Sequence, residues 1–417
     1  MTSVERQLAV PVDAAEIPAL RRRITAVLIA GQILGGLGVA TGIALATVLA
    51  KQVSGTESLS GLAPTATVTG TAVLSVPLAA LMTARGRRPG LVLAYLIGAS
   101  GAGVVVVAAC VGSFPLLLLG MAGFGAASSA NLQARFAAAD LAEPQRRARA
   151  ISNVVWATTI GAVLGPNIAA PAGRSVSGLG IPEAAGPFLW AAGVFLLSAL
   201  LVAVLLRPDP LLTARALAPV EEQSAQARSI RAGFAAVAAS PRARLALVTV
   251  AVSHTAMVSI MSMTPVDLGH HGASIDLIGL VISGHIAGMY AFSPLMGRLS
   301  GIGLAVGLLA CAALLAGTAG GSHGQIAAGL FVLGLGWSSG LVSGSALLTD
   351  SVPQAARAAA QGVSDLTMNT AAGLGGATAG LVVAQASYGW LNLLAACLLV
   401  PLGGLALFTR RRGRSRR

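Results

Sequence analysis

The chain alternates long apolar runs with short polar stretches rich in arginine. A helix crosses a bilayer core with about 20 apolar residues, and windows of that length predict twelve spans. The first six cover 24–50, 61–83, 89–111, 114–138, 148–172 and 185–206. The second six cover 243–267, 275–299, 302–320, 325–349, 356–384 and 389–409. One interior stretch, 207–242, is long and polar, with Arg207, Glu221, Glu222, Arg228 and Arg231; its segment 221–240 has the composition of a short amphipathic surface helix. The pattern predicts an all-α integral membrane protein: a six-helix bundle over 1–206, a linker over 207–242, and a second six-helix bundle with a basic tail over 243–417.

Composition strengthens that picture. Of the 417 residues 55% are hydrophobic and 10% charged, with a mean hydropathy of +0.81; a soluble domain carries about 25% charged residues. The 52 glycines are an excess of the small residues that let membrane helices approach closely. Cys110, Cys311 and Cys397 lie in apolar runs without C-x-x-C spacing and read as buried free thiols. Residues 1–20 are polar and the first apolar run is too long for a signal-peptide core, so no cleavable signal is expected.

The net charge of +13 suggests nucleic acid at first sight. Placement gives another meaning. Taken with the predicted spans, 24 of the 27 Lys and Arg residues fall on one side of the membrane, only Lys51 and Arg174 on the other, and Arg135 within a span. Positive loops face the cytoplasm, so both termini and the linker are expected inside the cell, and no nucleic-acid partner is expected. Arginine outnumbers lysine 26 to 1, which points to a GC-rich bacterial source, such as an actinobacterium.

An internal repeat appears at an offset of 210 residues. Ser128, Ser129, Asp140, Arg147 and Gly165 fall on Ser338, Ser339, Asp350, Arg357 and Gly375. The Asp and Arg matches carry the weight, because charge is scarce. Each pair flanks the loop between the fourth and fifth spans of its half.

Residues Asp140–Ala150 and Asp350–Ala360 resemble the corresponding loops of the major facilitator superfamily. Trp156 through Pro166, with Gly161, Gly165 and Pro166, is similar to the fifth-helix "antiporter" motif G-x-x-x-G-P-x-x-G-G, with Ala169 and Ala170 at the last two glycines. The resemblance covers about residues 20–410 and implies two six-helix halves working by alternating access, with substrate between them. The family's loop after the second helix reads G-x-x-x-D-R-x-G-R-R. Here Arg85, Gly86, Arg87 and Arg88 keep the basic end, while Thr83 and Ala84 replace the acid and the first arginine. Gly297 through Gly303 lacks the acid too. That acid helps latch the cytoplasmic gate in the family, so Asp140 and Asp350, with Arg87, Arg147 and Arg357, are expected to rebuild the latch.

Ionisable groups inside a span cost about 2.5–3.5 kcal/mol each on insertion scales. His254 and His285 sit near mid-depth on consecutive spans, as proton carriers or substrate ligands, or as neutral histidines bonded to a helix carbonyl. Asp365 and Asn369 are one turn apart; Asp365 is a candidate proton carrier or a partner for Arg357 or a linker arginine. Arg135, with Asn131 and Gln133 nearby, either snorkels or meets an anionic substrate or Asp140. Gln32, Asn153, Trp156 and Asn167 are further candidates for lining a cavity. Met257, Met261, Met263, Tyr290 and Phe292 offer an adaptable apolar wall or ordinary packing. Asp267, His270 and His271 lie in an outer loop, where a metal site is not expected.

The only lysine, Lys51, precedes Gln52, so no phosphate-binding loop G-x-x-x-x-G-K-[ST] exists and no ATP motor resides in the chain. The strings Gly123-Phe124-Gly125 and Gly334-Leu335-Gly336 lie inside spans, where no dinucleotide binds. No enzymatic motif, cofactor or metal is expected. The reading is a monomeric, multi-pass plasma-membrane transporter exchanging protons for drug-like or amphipathic molecules outward. An uptake symporter or uniporter for a small metabolite is the alternative, and a non-transporting receptor or intramembrane enzyme a remote one.

Overall fold

The computed structural model describes residues 17–56, 59, 62–217, 230–273 and 275–414, and among these every regular element is a helix, with no strand. The helices are α1 (Ile17–Ser54), α2 (Leu62–Arg85), α3 (Arg87–Val111), α4 (Phe114–Asp140), α5 (Arg147–Ser175) and α6 (Gly186–Leu205). Two short ones, α7 (Pro210–Ala216) and α8 (Ile230–Ala239), follow. The remainder are α9 (Pro241–His270), α10 (Ile275–Tyr290), α11 (Ser293–Arg298), α12 (Ile302–Gly317), α13 (His323–Ser351), α14 (Arg357–Gln385) and α15 (Tyr388–Arg414). Ten helical segments among the described residues are long and apolar enough to cross a membrane, eleven when the bent α5 counts as one, and α12 is a shorter apolar helix. Glu221, Glu222, Arg228, Arg6, Arg416 and Arg417 lie outside the described residues.

Local chemistry places the ends. Ser240 caps α9 by accepting from the N–H of Ala243 at 3.2 Å, with Pro241 in the first turn, where a missing N–H costs nothing. Ser322 caps α13 in the same way. One expectation changes. The eighth span, expected as one helix over 275–299, breaks after Tyr290 into α10 and α11, because Pro294 lacks the N–H that would continue the ladder. The linker carries α7 and, inside the segment expected as a surface helix, α8; residues 221–229 of that segment lie outside the described residues.

The chain divides into two compact units. The first comprises Met1–Ala150, Ile160–Phe234 and Pro353–Asp365, so the start of α14 belongs to it. Within it α4 packs on α1, α2 and α3, and α6 packs on α1 and α3. An aromatic core closes these contacts, with Phe124 5.5 Å from Phe188 and 5.3 Å from Phe195 between ring centroids. Such pairs contribute about 0.5–1.5 kcal/mol each beyond area burial. The second unit comprises Ile151–Thr159, Ala235–Val352 and Leu366–Arg417. In it α13 packs on α9, α10 and α12, and α15 on α9 and α12, repeating the pairings of the first.

Cys110, Cys311 and Cys397 are exposed, which corrects the expectation of buried thiols. An apolar run in a membrane chain faces lipid as readily as protein, so apolar neighbours say nothing about burial within the fold. Leu200, Leu314, Leu381 and Val400 share that outward placement. In intact bilayers a charged maleimide is expected to leave Cys311 and Cys397 unmodified, and full modification should follow denaturation in detergent. Rapid modification in the bilayer would place them on water instead.

Candidate functional site

Burial without water forces polar groups to find each other, and one chain of such contacts runs through the first unit. Arg87, the first residue of α3, has no exposed side-chain surface. Its Nε donates to Asp140 Oδ2 at 2.7 Å and its Nη2 to Oδ1 at 3.2 Å, a two-pronged grip on the last residue of α4. Arg87 Nη1 donates to Gln133 Oε1 at 3.0 Å, and Nη2 also contacts Gln361 Oε1 on α14. Gln133 turns its amide nitrogen the other way, donating to Asp365 Oδ2 at 2.8 Å. Asp365 Oδ1 accepts from Arg135 Nη2 at 2.6 Å. The side chains of Arg135 and Asp365 are 2% and 0% exposed.

The result is a buried network of two guanidiniums, two carboxyl groups and two amides. Gln133 links both ion pairs through its two ends. Helical geometry makes this possible, because Gln361 and Asp365 stand four residues apart on one face of α14. Arg135 also lies over the Phe136 ring, 4.5 Å from its centroid, and its Nε and Nη1 are buried without a hydrogen-bond acceptor. Arg135 is therefore held inside the fold rather than snorkelling, and it pairs with Asp365.

The other residues of the expected latch divide. Asp140 meets Arg87. Asp350 is exposed, Arg357 is half-buried, and Arg147 is buried. At the α2–α3 turn Arg85 is exposed, Arg88 half-buried and Gly86 buried. Thr83, at the position of the missing acid, turns its hydroxyl to its own helix, donating to Ala79 O at 2.8 Å.

Gly161 and Gly165 press α5 onto α1. A Cβ at Gly161 would stand 2.5 Å from the carbonyl carbon of Gly36 and the nitrogen of Leu37, and one at Gly165 would run into Ala40. Beyond them α5 bends by 42° between Gly165 and Asn167, at Pro166. Gln32 on α1 is buried.

The second unit holds the histidines, and different partners fix their protons. Trp337 Nε1 donates to His254 Nδ1 at 2.7 Å. An indole N–H only donates, so neutral His254 carries its proton on Nε2. His285, fully buried, meets the carbonyl of Leu330 through Nδ1 at 2.8 Å; a carbonyl only accepts, so its proton sits on Nδ1. Its Nε2 is buried with no partner. His285 thus makes the helix-carbonyl bond of the second alternative. Tyr290 packs edge-on against Trp337 at 5.6 Å. Asn153 is half-buried and Trp156 exposed, both in the segment of α5 that belongs to this unit, and Asn369 is buried. His271 bonds to Asp267 O at 2.9 Å, and no cluster of three metal-binding side chains exists among the described residues. Gln361, Trp337 and Gln133 as the bridge were not singled out from the sequence. The spacing Gln361–Asp365–Asn369, a polar stripe every four residues, was the available signal.

The model of the Major Facilitator Superfamily matches this sequence twice, over residues 27–270 and 245–417. The chain belongs to that superfamily. It is 36% identical to the uncharacterized MFS-type transporter YddS of Bacillus subtilis, over 92% of this chain and 90% of that protein. With the Riboflavin transporter RfnT of Brucella anthropi it shares 28% identity over 92% and 96% of the two chains. The fold is similar to that of the superfamily transporter FucP in its outward conformation, with a TM-score of 0.71, 16% identity, and coverage of 92% and 98%. A bacterial homologue of the iron transporter ferroportin gives 0.67 at 13% identity, covering 92% and 98%. The protein is a multi-pass membrane transporter of the secondary type, not an enzyme.

Proposed function

We propose that the transporter exports small drug-like or amphipathic molecules in exchange for protons, as a monomer in the plasma membrane with both termini and the linker cytoplasmic. The working parts are the halves 1–206 and 243–417, joined by 207–242 and alternating in access to the two sides. The observation that carries the reading is the buried Arg135–Asp365 pair, 2.6 Å long and shared with Gln133. A carboxylate that far from water holds its charge only through its partners. A proton taken up by Asp365 neutralises it and releases Arg135, so the pair can be made and broken once per cycle. One charge moving through 100 mV supplies ~2.3 kcal/mol, or roughly a 50-fold gradient.

Apart from Arg135 and Asp365, the buried charges described are Arg87, Asp140 and Arg147, all assigned to the gate, which favours amphipathic rather than strongly ionic cargo, with Gln32, Asn153, Trp156, His254, His285 and Asn369 as candidate path residues. Gly161, Gly165 and Pro166 serve as the close-packed bend that seals α5 on α1. Arg85, Gly86, Arg87, Arg88, Asp140, Arg147, Asp350 and Arg357 are the proposed cytoplasmic gate. A second reading, uptake of a heteroaromatic metabolite, is favoured by the likeness to RfnT, named as a riboflavin transporter.

Inverted membrane vesicles given a panel of dyes, drugs and riboflavin, with and without an imposed pH gradient, separate the two. Gradient-dependent accumulation of the amphipathic dyes is expected. Accumulation indifferent to the gradient contradicts proton exchange, and riboflavin uptake into right-side-out vesicles alone favours the second reading.

A further inference from the structure

The α2–α3 turn lacks an acid of its own, yet a carboxylate sits in it. Gly86, at φ +95°, precedes α3 and brings no side chain to cap that helix. The N–H of Arg88 instead donates to Asp209 Oδ2 at 2.7 Å, across 121 residues of sequence. Asp209 Oδ1 accepts from Leu211 and Leu212 at 3.0 and 3.2 Å, so one carboxylate caps both α3 and α7. The fit leaves no slack: a Cβ on Gly86 would lie 2.5 Å from Asp209 Oδ2 and 2.6 Å from Cγ.

Three further contacts tie the same segment down. Arg215 Nη1 donates to Thr83 O at 2.8 Å, Arg23 Nη2 to Arg207 O at 2.6 Å, and Thr213 Oγ1 to Asp209 O at 2.8 Å. Pro210, Leu211 and Thr213 are buried, and α7 packs on α3 and α4. The residue between Gly86 and Arg88 is Arg87, whose guanidinium holds Asp140, Gln133 and Gln361.

We propose that Asp209 is a positioning residue for the transport cycle. Its carboxylate locks the start of the linker to the α2–α3 turn, and so aims Arg87 at Asp140 and at Gln361 on α14. The linker thereby provides the acid that Thr83 does not. A cap at this helix start fixes the direction in which the first side chain of α3 leaves the backbone, and that side chain is Arg87. When the cap opens, Arg87 loosens its hold on residues 353–365.

The test reads that segment directly. Cys110, Cys311 and Cys397 are replaced by serine, and Ser364, fully buried beside Asp365, becomes the reporter Ser364→Cys. The rate of its modification by a water-soluble maleimide is measured in vesicles. Asp209→Ala is expected to raise the rate about tenfold, the population change that follows loss of a charged cap. Asp209→Asn keeps an oxygen for the Arg88 N–H and should raise it much less. Gly86→Ala, which pushes the carboxylate out, should behave like Asp209→Ala. In an Arg87→Gln background neither Asp209→Ala nor Gly86→Ala should add anything, because their effect passes through Arg87. Unchanged labelling in Asp209→Ala and Gly86→Ala overturns the proposal. So do equal increments with and without Arg87, which would mean general loosening. If Asp209→Ala fails to reach the membrane, Gly86→Ala against Asp209→Asn, in both Arg87 backgrounds, decides by the same criteria.

Discussion

Asp365→Asn is expected to abolish proton-dependent transport and to destabilise the purified protein, whereas Arg135→Gln combined with Asp365→Asn should recover most of the stability and none of the coupling. Removing one partner leaves a fully buried guanidinium facing an amide, and breaking a buried pair this way costs about 3–5 kcal/mol. Removing both leaves two neutral amides beside Gln133, a set that can bond to itself. The two effects on stability are therefore non-additive, as expected for groups in direct contact. Thermal unfolding in detergent of the two single variants and the double variant reads this directly. Equal, additive losses would mean that the 2.6 Å contact carries no coupling energy.

Gly161→Val should be nearly as damaging, by a different route. The atoms that a side chain would strike are the backbone of Gly36 and Leu37 on α1. Backbone cannot rotate away, so α5 must shift, at about 1–3 kcal/mol or more. Transport should fall more steeply than folded yield, because the bend after Gly165 loses its footing on α1. Gly103→Val on α3 is the control, since a Cβ there meets nothing within 4 Å. Similar transport in both variants would show that close packing at Gly161 has no special part.

Much of the fold was legible in the sequence because lipid demands long apolar helices, and their runs stand out in a chain with few charges. The repeat was legible from Asp140/Arg147 against Asp350/Arg357 for the same reason. What sequence alone withheld was pairing. Arg135 and Asp365 each drew attention as rare charges inside spans, but 230 residues separate them, and only packing brings them together. Asp209 drew none, since an acid in a polar linker is unremarkable until its carboxylate is found capping α3. The cysteines misled because apolar neighbours mean lipid as often as protein interior. His254 and His285 looked equivalent, and only their partners, an indole N–H and a carbonyl, separate them.

In the proposed cycle the Arg135–Asp365 pair exchanges a proton for cargo. The most direct test of that exchange is proton release from purified protein in lightly buffered detergent, on adding the compound that vesicles accumulate most strongly. Wild-type protein, His254→Gln and His285→Gln are expected to acidify the solution on binding, and Asp365→Asn to bind without releasing protons. Undiminished release from Asp365→Asn contradicts the claim and moves the proton elsewhere in the chain.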